Sequence, residues 1–192
     1  DRRLPLTDMT AYKVGKDLAI TPGAVVYRNA LLEVLHYQPT TQRQRSMPVV
    51  IITPWINKFY IMDLTPQQSM VKHLLDDGFD VYLTSWKNPT ADMGNTTMDD
   101  YLSRGIDVAI DTALQLSGSK EAHAVGYCIG GAALTMWLAI ENVRAKAESR
   151  AVRVPHWTTL ATLVDYHYPG HIEIFIDPAS VDYLAGVVRR AG

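Results

Sequence analysis

The run Val49-Val50-Ile51-Ile52-Thr53, closed by Pro54, constrains this chain more than any other feature. All five residues are β-branched, which favours a strand over a helix. Four are apolar in succession, so both faces of the strand need cover. A strand of that kind belongs in the middle of a parallel sheet with helices on either side.

The residues around it follow the same plan. Residues 31–37 read as a first strand, ended by Pro39 and a polar loop over 40–46. Thr65-Pro66-Gln67-Gln68 reads as a helix start, with a hydroxyl cap, proline at the first helical position and glutamine three residues after the cap. Met70, Val71, Leu74 and Leu75 mark the buried face of that helix, and Gly78 stops it. The next strand covers 79–83 and ends near Trp86-Lys87-Asn88-Pro89. A second helix is expected over 98–117, with Thr97 as cap, Asp99 and Asp100 in its first turn, and Leu102, Ile106, Ala109, Ala113 and Leu116 on one face. Gly118 ends it. Residues 121–127 then form a short buried strand, 129–148 a third helix, and 157–164 one more strand. Alternation of this kind predicts an α/β architecture with right-handed crossovers and helices on both faces of a mostly parallel sheet.

Composition limits the partners. Eighteen basic and twenty acidic residues leave a net charge of −2, without a basic run to follow a phosphate backbone, so nucleic acid is not an expected ligand. The apolar runs fall well short of the ~20 residues that a membrane-spanning helix requires. The opening Asp1-Arg2-Arg3-Leu4-Pro5 reads neither as a signal peptide nor as a natural start, so the chain is expected to be part of a longer one. A single cysteine, Cys128, rules out an internal disulfide and a cysteine-rich metal site, and it fits a reducing cytoplasm.

Cys128 lies between the strand at 121–127 and the helix that follows, in Gly126-Tyr127-Cys128-Ile129-Gly130-Gly131. This is the pattern of a nucleophile elbow with cysteine in place of serine. The elbow is crowded, and Gly126 and Gly130, two residues to either side, leave room for strand and helix to approach. The sulfur sits at a helix N-terminus, where the partial positive end suits a nucleophile that passes through an anion. The backbone N–H of Ile129 is then one oxyanion donor, and a second is expected from the loop Pro54-Trp55-Ile56-Asn57-Lys58, at Ile56. A lone free cysteine is more often an inert core residue; the elbow context argues otherwise here.

Around this elbow the chain resembles the class I polyhydroxyalkanoate synthases. Similar stretches include Val14-Gly15-Lys16-Asp17-Leu18-Ala19-Ile20-Thr21-Pro22-Gly23, Ile56-Asn57-Lys58-Phe59-Tyr60-Ile61-Met62-Asp63-Leu64, Ser85-Trp86-Lys87-Asn88-Pro89 and Met98-Asp99-Asp100-Tyr101. The resemblance implies an α/β-hydrolase fold, incomplete as presented: a lead-in over 1–47, the first half of the core over 48–168, and the start of a cap over 169–192. It also implies a reaction, in which a 3-hydroxyacyl group passes from coenzyme A to Cys128 and then to a growing polyester. No separate cofactor is implied. Asn57 and Asp63 match family positions near the reaction centre and become candidate substrate or coenzyme A contacts; a turn role for Asn57 and local hydrogen bonding for Asp63 are the alternatives. A homodimer, cytoplasmic and bound to polymer granules, is the implied state.

The family's assisting Asp and base His lie beyond Gly192. Of the six histidines here, His36, His73 and His123 fall on predicted elements, and His156, His167 and His171 on or near loops; the resemblance gives none of them the base role. An ester or thioester hydrolase of the same fold, or a non-catalytic truncated domain, are the rival readings.

Overall fold

The computed structural model describes residues 8, 10–167 and 170–191. Six strands form one sheet: β1 (Gly23–Arg28), β2 (Leu32–Tyr37), β3 (Val49–Ile52), β6 (Val81–Trp86), β7 (His123–Tyr127) and β8 (His156–Leu160). Their spatial order is β1-β2-β6-β3-β7-β8. β3 lies at the centre as its sequence requires, pairing in parallel with β6 (Ile51 opposite Leu83) and with β7 (Ile51 opposite Val125). β8 extends the parallel part, while β1 and β2 add an antiparallel edge. The sheet thus takes in residues from 23 onward.

Alternate residues of β3 serve two cores. Val50 and Ile52 join Tyr82 and Ala124 on one face, under α3 (Asp107–Ser117) and α4 (Ile129–Ala147). Val49 and Ile51 join Val81, Leu83 and Val125 on the other, under α1 (Met70–Asp76). All four β3 side chains are buried, each worth roughly 1.5–3 kcal/mol relative to exposure.

Three expected elements differ in detail. Thr65 does not cap a helix: Asp63–Thr65 (β4) and Gln68–Ser69 (β5) form a small hairpin around Pro66, and α1 starts at Met70 with Ser69 as its cap, accepting from the Lys72 N–H at 2.9 Å. Ser69 also donates to buried Asp63 at 2.6 Å, a tertiary bond that fixes where the helix begins. The helix over 98–117 exists, with the Thr97–Asp100 capping box at α2 (Met98–Asp100), but a π-helical segment at Tyr101–Ile106 interrupts it before α3. Its last turn directs Leu114 toward the core and leaves Leu116 exposed. The final strand stops at Leu160. Beyond it the chain forms a 3₁₀ turn (Gly170–Phe175) and α5 (Pro178–Ala191), with Ile174 in the turn and Ile176 in the link between the two, both exposed.

A buried ion-pair network anchors the far end of α4. Glu141, 1% exposed, accepts from Arg150 (2.6 and 3.1 Å) and from Arg153 (2.7 Å), and Arg153 reaches on to Asp107 (2.7 Å) and Asp111 (2.5 Å) on α3. Burial alone would push the Glu141 carboxyl up; the bonds from Arg150 and Arg153 outweigh it and hold it at about 2. Because the folded value lies below the ordinary 4.5, this stabilisation is complete above about pH 4.5 and lost as pH falls toward 2. Glu141→Gln should cost about 1–3 kcal/mol at neutral pH, since it removes the buried acceptor that Arg150 and Arg153 share while Arg153 keeps Asp107 and Asp111 and Arg150 keeps Glu148. Urea unfolding at pH 7 and pH 3 checks both parts: the difference between variant and parent should shrink at the lower pH.

Candidate active site

The carboxyl ends of β6, β3, β7 and β8 lie side by side because these strands are parallel. Cys128 follows β7 directly and is the N-cap of α4, with φ 54° and ψ −127°. For a residue with a Cβ this is a sparsely populated conformation that costs on the order of 1–3 kcal/mol and persists only when its surroundings impose it. Those surroundings are hydrogen bonds on both sides: the Cys128 N–H donates to the Leu160 carbonyl at 2.9 Å, and its own carbonyl accepts from Gly131 at 2.9 Å and Ala132 at 3.2 Å. The side chain is partly exposed and free, unlike an inert core thiol.

The glycines of the elbow are explained by contact. A Cβ on Gly126 would stand 2.5 Å from the Gly131 Cα, and one on Gly130 would stand 2.5 Å from the Ile52 carbonyl oxygen and 2.7 Å from that of Thr53. The expected crowding between strand and helix is therefore Gly126 against Gly131, while Gly130 lets α4 press on the end of β3. A Cβ on Gly131 would also meet the Thr162 hydroxyl at 2.0 Å. Thr162, which sequence reasoning passed over, donates to the Leu160 carbonyl at 3.1 Å and lies 3.4 Å from that of Cys128.

Ile129 opens α4, so its N–H has no carbonyl one turn back to satisfy and is available to a ligand. Ile56 is exposed in the bend that leaves β3, on the same end of the sheet. The base of that loop is tightly held. Thr53 and Thr84 are fully buried, and Thr53 donates twice to Thr84: its N–H to Thr84 Oγ1 at 3.0 Å and its Oγ1 to the Thr84 carbonyl at 2.6 Å. The Trp86 indole N–H donates to the Thr53 carbonyl at 2.6 Å.

The remaining candidates separate. Asn57 is exposed in the loop beside Ile56. Asp63 is not brought to the surface: it is 2% exposed, and its Oδ1 accepts from Thr21 and Ser69, both at 2.6 Å. In this structure its Oδ1 fastens residues near 21 to the β4–β5 hairpin. His123 and His156 sit opposite each other at the amino ends of β7 and β8, five residues and ~16 Å of strand from Cys128. Burial and the neighbouring His156 push the His123 imidazole down. His36 bonds Asp80 at 2.6 Å, also at the amino end of the sheet, and His73 is exposed on α1. His167 pairs with Asp165 on the surface, and His171 lies in the 3₁₀ turn. None of these six is placed against Cys128 by a hydrogen bond among the described residues.

Comparison with known proteins agrees with the fold. Residues 48–169 match a family model described as "alpha/beta hydrolase fold", and residues 1–74 one described as "Poly-beta-hydroxybutyrate polymerase (PhaC) N-terminus". The chain is 37% identical to the "Poly(3-hydroxyalkanoate) polymerase subunit PhaC" of Rhizobium etli over 190 residues, 99% of this chain and 29% of the relative. It is 37% identical to the protein of the same name from Cupriavidus necator over 179 residues, 93% of this chain and 30% of the relative. The chain therefore spans less than a third of the length of these relatives. A solved structure from Agrobacterium vitis S4, described as a hydrolase, superposes with a TM-score of 0.50 at 13% identity, covering 85% of this chain and 59% of that one, which speaks to the fold alone. No helix among the described residues is long and apolar enough to cross a membrane.

Proposed function

Because the chain belongs to the alpha/beta hydrolase fold family and is similar to poly(3-hydroxyalkanoate) polymerases over nearly all its length, we propose that it carries the nucleophile of a polyhydroxyalkanoate synthase. The supporting observation is the backbone of Cys128: a non-glycine residue at positive φ between a parallel strand and a helix, on a chain with no other cysteine. The thiol loses its proton to a base supplied from outside this chain and attacks the carbonyl carbon of a 3-hydroxyacyl coenzyme A. The Ile129 and Ile56 N–H groups hold the oxyanion, coenzyme A leaves as a thiolate that takes up a proton, and a thioester remains on Cys128. A hydroxyl of another unit then attacks that thioester, losing its proton to the base, which forms the oxoester of the polymer and frees the sulfur. Exchange of one thioester for another costs little, and the oxoester is the more stable product, which suits sulfur as the carrier.

In the cell we place this activity in the cytoplasm, in a homodimer at the surface of polymer granules. The polymerase containing this chain, incubated with 3-hydroxybutyryl coenzyme A, should release coenzyme A together with insoluble polyester. Release with free hydroxy acid alone would mean a hydrolase, and no release from folded protein would mean a non-catalytic domain.

A further inference from the structure

Trp86 lies two strands from β7, yet three observations connect it to the loop that carries Ile56. Its indole N–H donates to the Thr53 carbonyl at 2.6 Å, the last fixed point before Pro54 and the loop. Its ring packs edge-on against Trp55 at 5.9 Å, and Tyr101 packs against both, 4.6 Å from Trp55 and 5.2 Å from Trp86. Its far edge fills the space at Gly105, where a Cβ would stand 2.6 Å from two ring atoms. Both Tyr101 and Gly105 belong to the π-helical segment, and such segments concentrate at functional sites. The π turn, the indole and the threonine pair thus form one connected support that ends at the residue preceding Ile56.

Resting on the reading of Cys128 and Ile56 given above, we infer that Trp86 is a positioning residue: its N–H and ring hold the β3 loop so that the Ile56 N–H meets the oxyanion. A hydrogen bond from Trp86 also occupies the Thr53 carbonyl against which Gly130 packs, so the same group sets the loop and the face that α4 leans on. Removing a whole oxyanion donor costs about 10²–10³ in turnover; a donor left in place but released from its support should cost a part of that.

The test uses Trp86→Phe, which keeps the ring and deletes the N–H, in the polymerase containing this chain. With 3-hydroxybutyryl coenzyme A, kcat should fall roughly tenfold while KM stays within about twofold. A butyryl coenzyme A analogue without the 3-hydroxyl, labelled with ¹³C at its carbonyl, should leave an acyl group on Cys128 whose infrared stretch moves to higher frequency in the variant, reporting weaker bonding to the oxygen. Gly105→Ala displaces the ring with the N–H intact and should reproduce both effects, and it serves if Trp86→Phe does not fold. Unchanged kcat and carbonyl stretch in whichever variant folds overturns the inference, as does a fall in kcat with no change in the stretch. If the parent protein itself places no acyl group on Cys128, the reading of the site fails first, and the two failures are told apart.

Discussion

Cys128→Ala, introduced into the polymerase that contains this chain, should lower turnover by at least about 10⁴-fold without loosening the fold. The sulfur is the sole thiol of these 192 residues, so no second cysteine within them can take over. Its side chain is partly exposed and is not one of the buried core residues, so alanine should forfeit little packing. The position carries strain of its own, with φ at 54°. Cys128→Gly should therefore be equally inactive but more stable than Cys128→Ala by up to about 1 kcal/mol, relief of strain being offset in part by the entropy of glycine in the unfolded chain. Comparing turnover and thermal midpoints of the two variants separates the chemical from the structural role of one residue. Activity surviving in either would move the nucleophile elsewhere.

Gly130→Ala should be the most damaging single methyl group that can be added to the elbow. The new Cβ would lie 2.5 to 2.8 Å from three backbone atoms of Ile52 and Thr53, in the central strand, where no rotamer change relieves the overlap. α4 must tilt or β3 must shift. Alanine's higher helix propensity returns at most about 1 kcal/mol, against overpacking of about 1–3 kcal/mol or more, and displacement of the sulfur should add a large loss of turnover. Gly131→Ala supplies the contrast. Its closest clash, 2.0 Å, is with the Thr162 side chain, so Thr162→Ala should rescue Gly131→Ala in part and should do nothing for Gly130→Ala. Thermal midpoints of the singles and doubles decide this, and equal rescue of both would contradict the contact geometry.

What the sequence made legible has a common physical basis. β3, α4 and the elbow were readable because their determinants are local: a β-branched run, a helix-forming composition, glycines at fixed offsets from a cysteine. The features it hid depend on contacts that the local residue pattern does not contain. β1 has all six residues exposed and exists as an edge paired with β2, so no buried face marks it. The start of α1 was misplaced because Thr65-Pro66 suits a turn as well as a helix, and the bond from Ser69 to Asp63 decides between them. The π segment sets Gly105 against the Trp86 ring, a contact between positions nineteen apart in sequence. Among the candidates, Cys128, Ile129 and Ile56 fall at one end of the sheet, whereas Asp63 is inside. Its acidic type and its family position gave no sign that Thr21 and Ser69 enclose it.

Covalent capture tests the account at its centre. The polymerase containing this chain, mixed with 3-hydroxybutyryl coenzyme A, quenched in acid and digested, should yield one acylated peptide by mass spectrometry: the one holding Cys128, with a linkage that neutral hydroxylamine cleaves. An acyl group found on a different residue, or polymer formed while the Cys128 peptide stays unmodified at every time sampled, would contradict it.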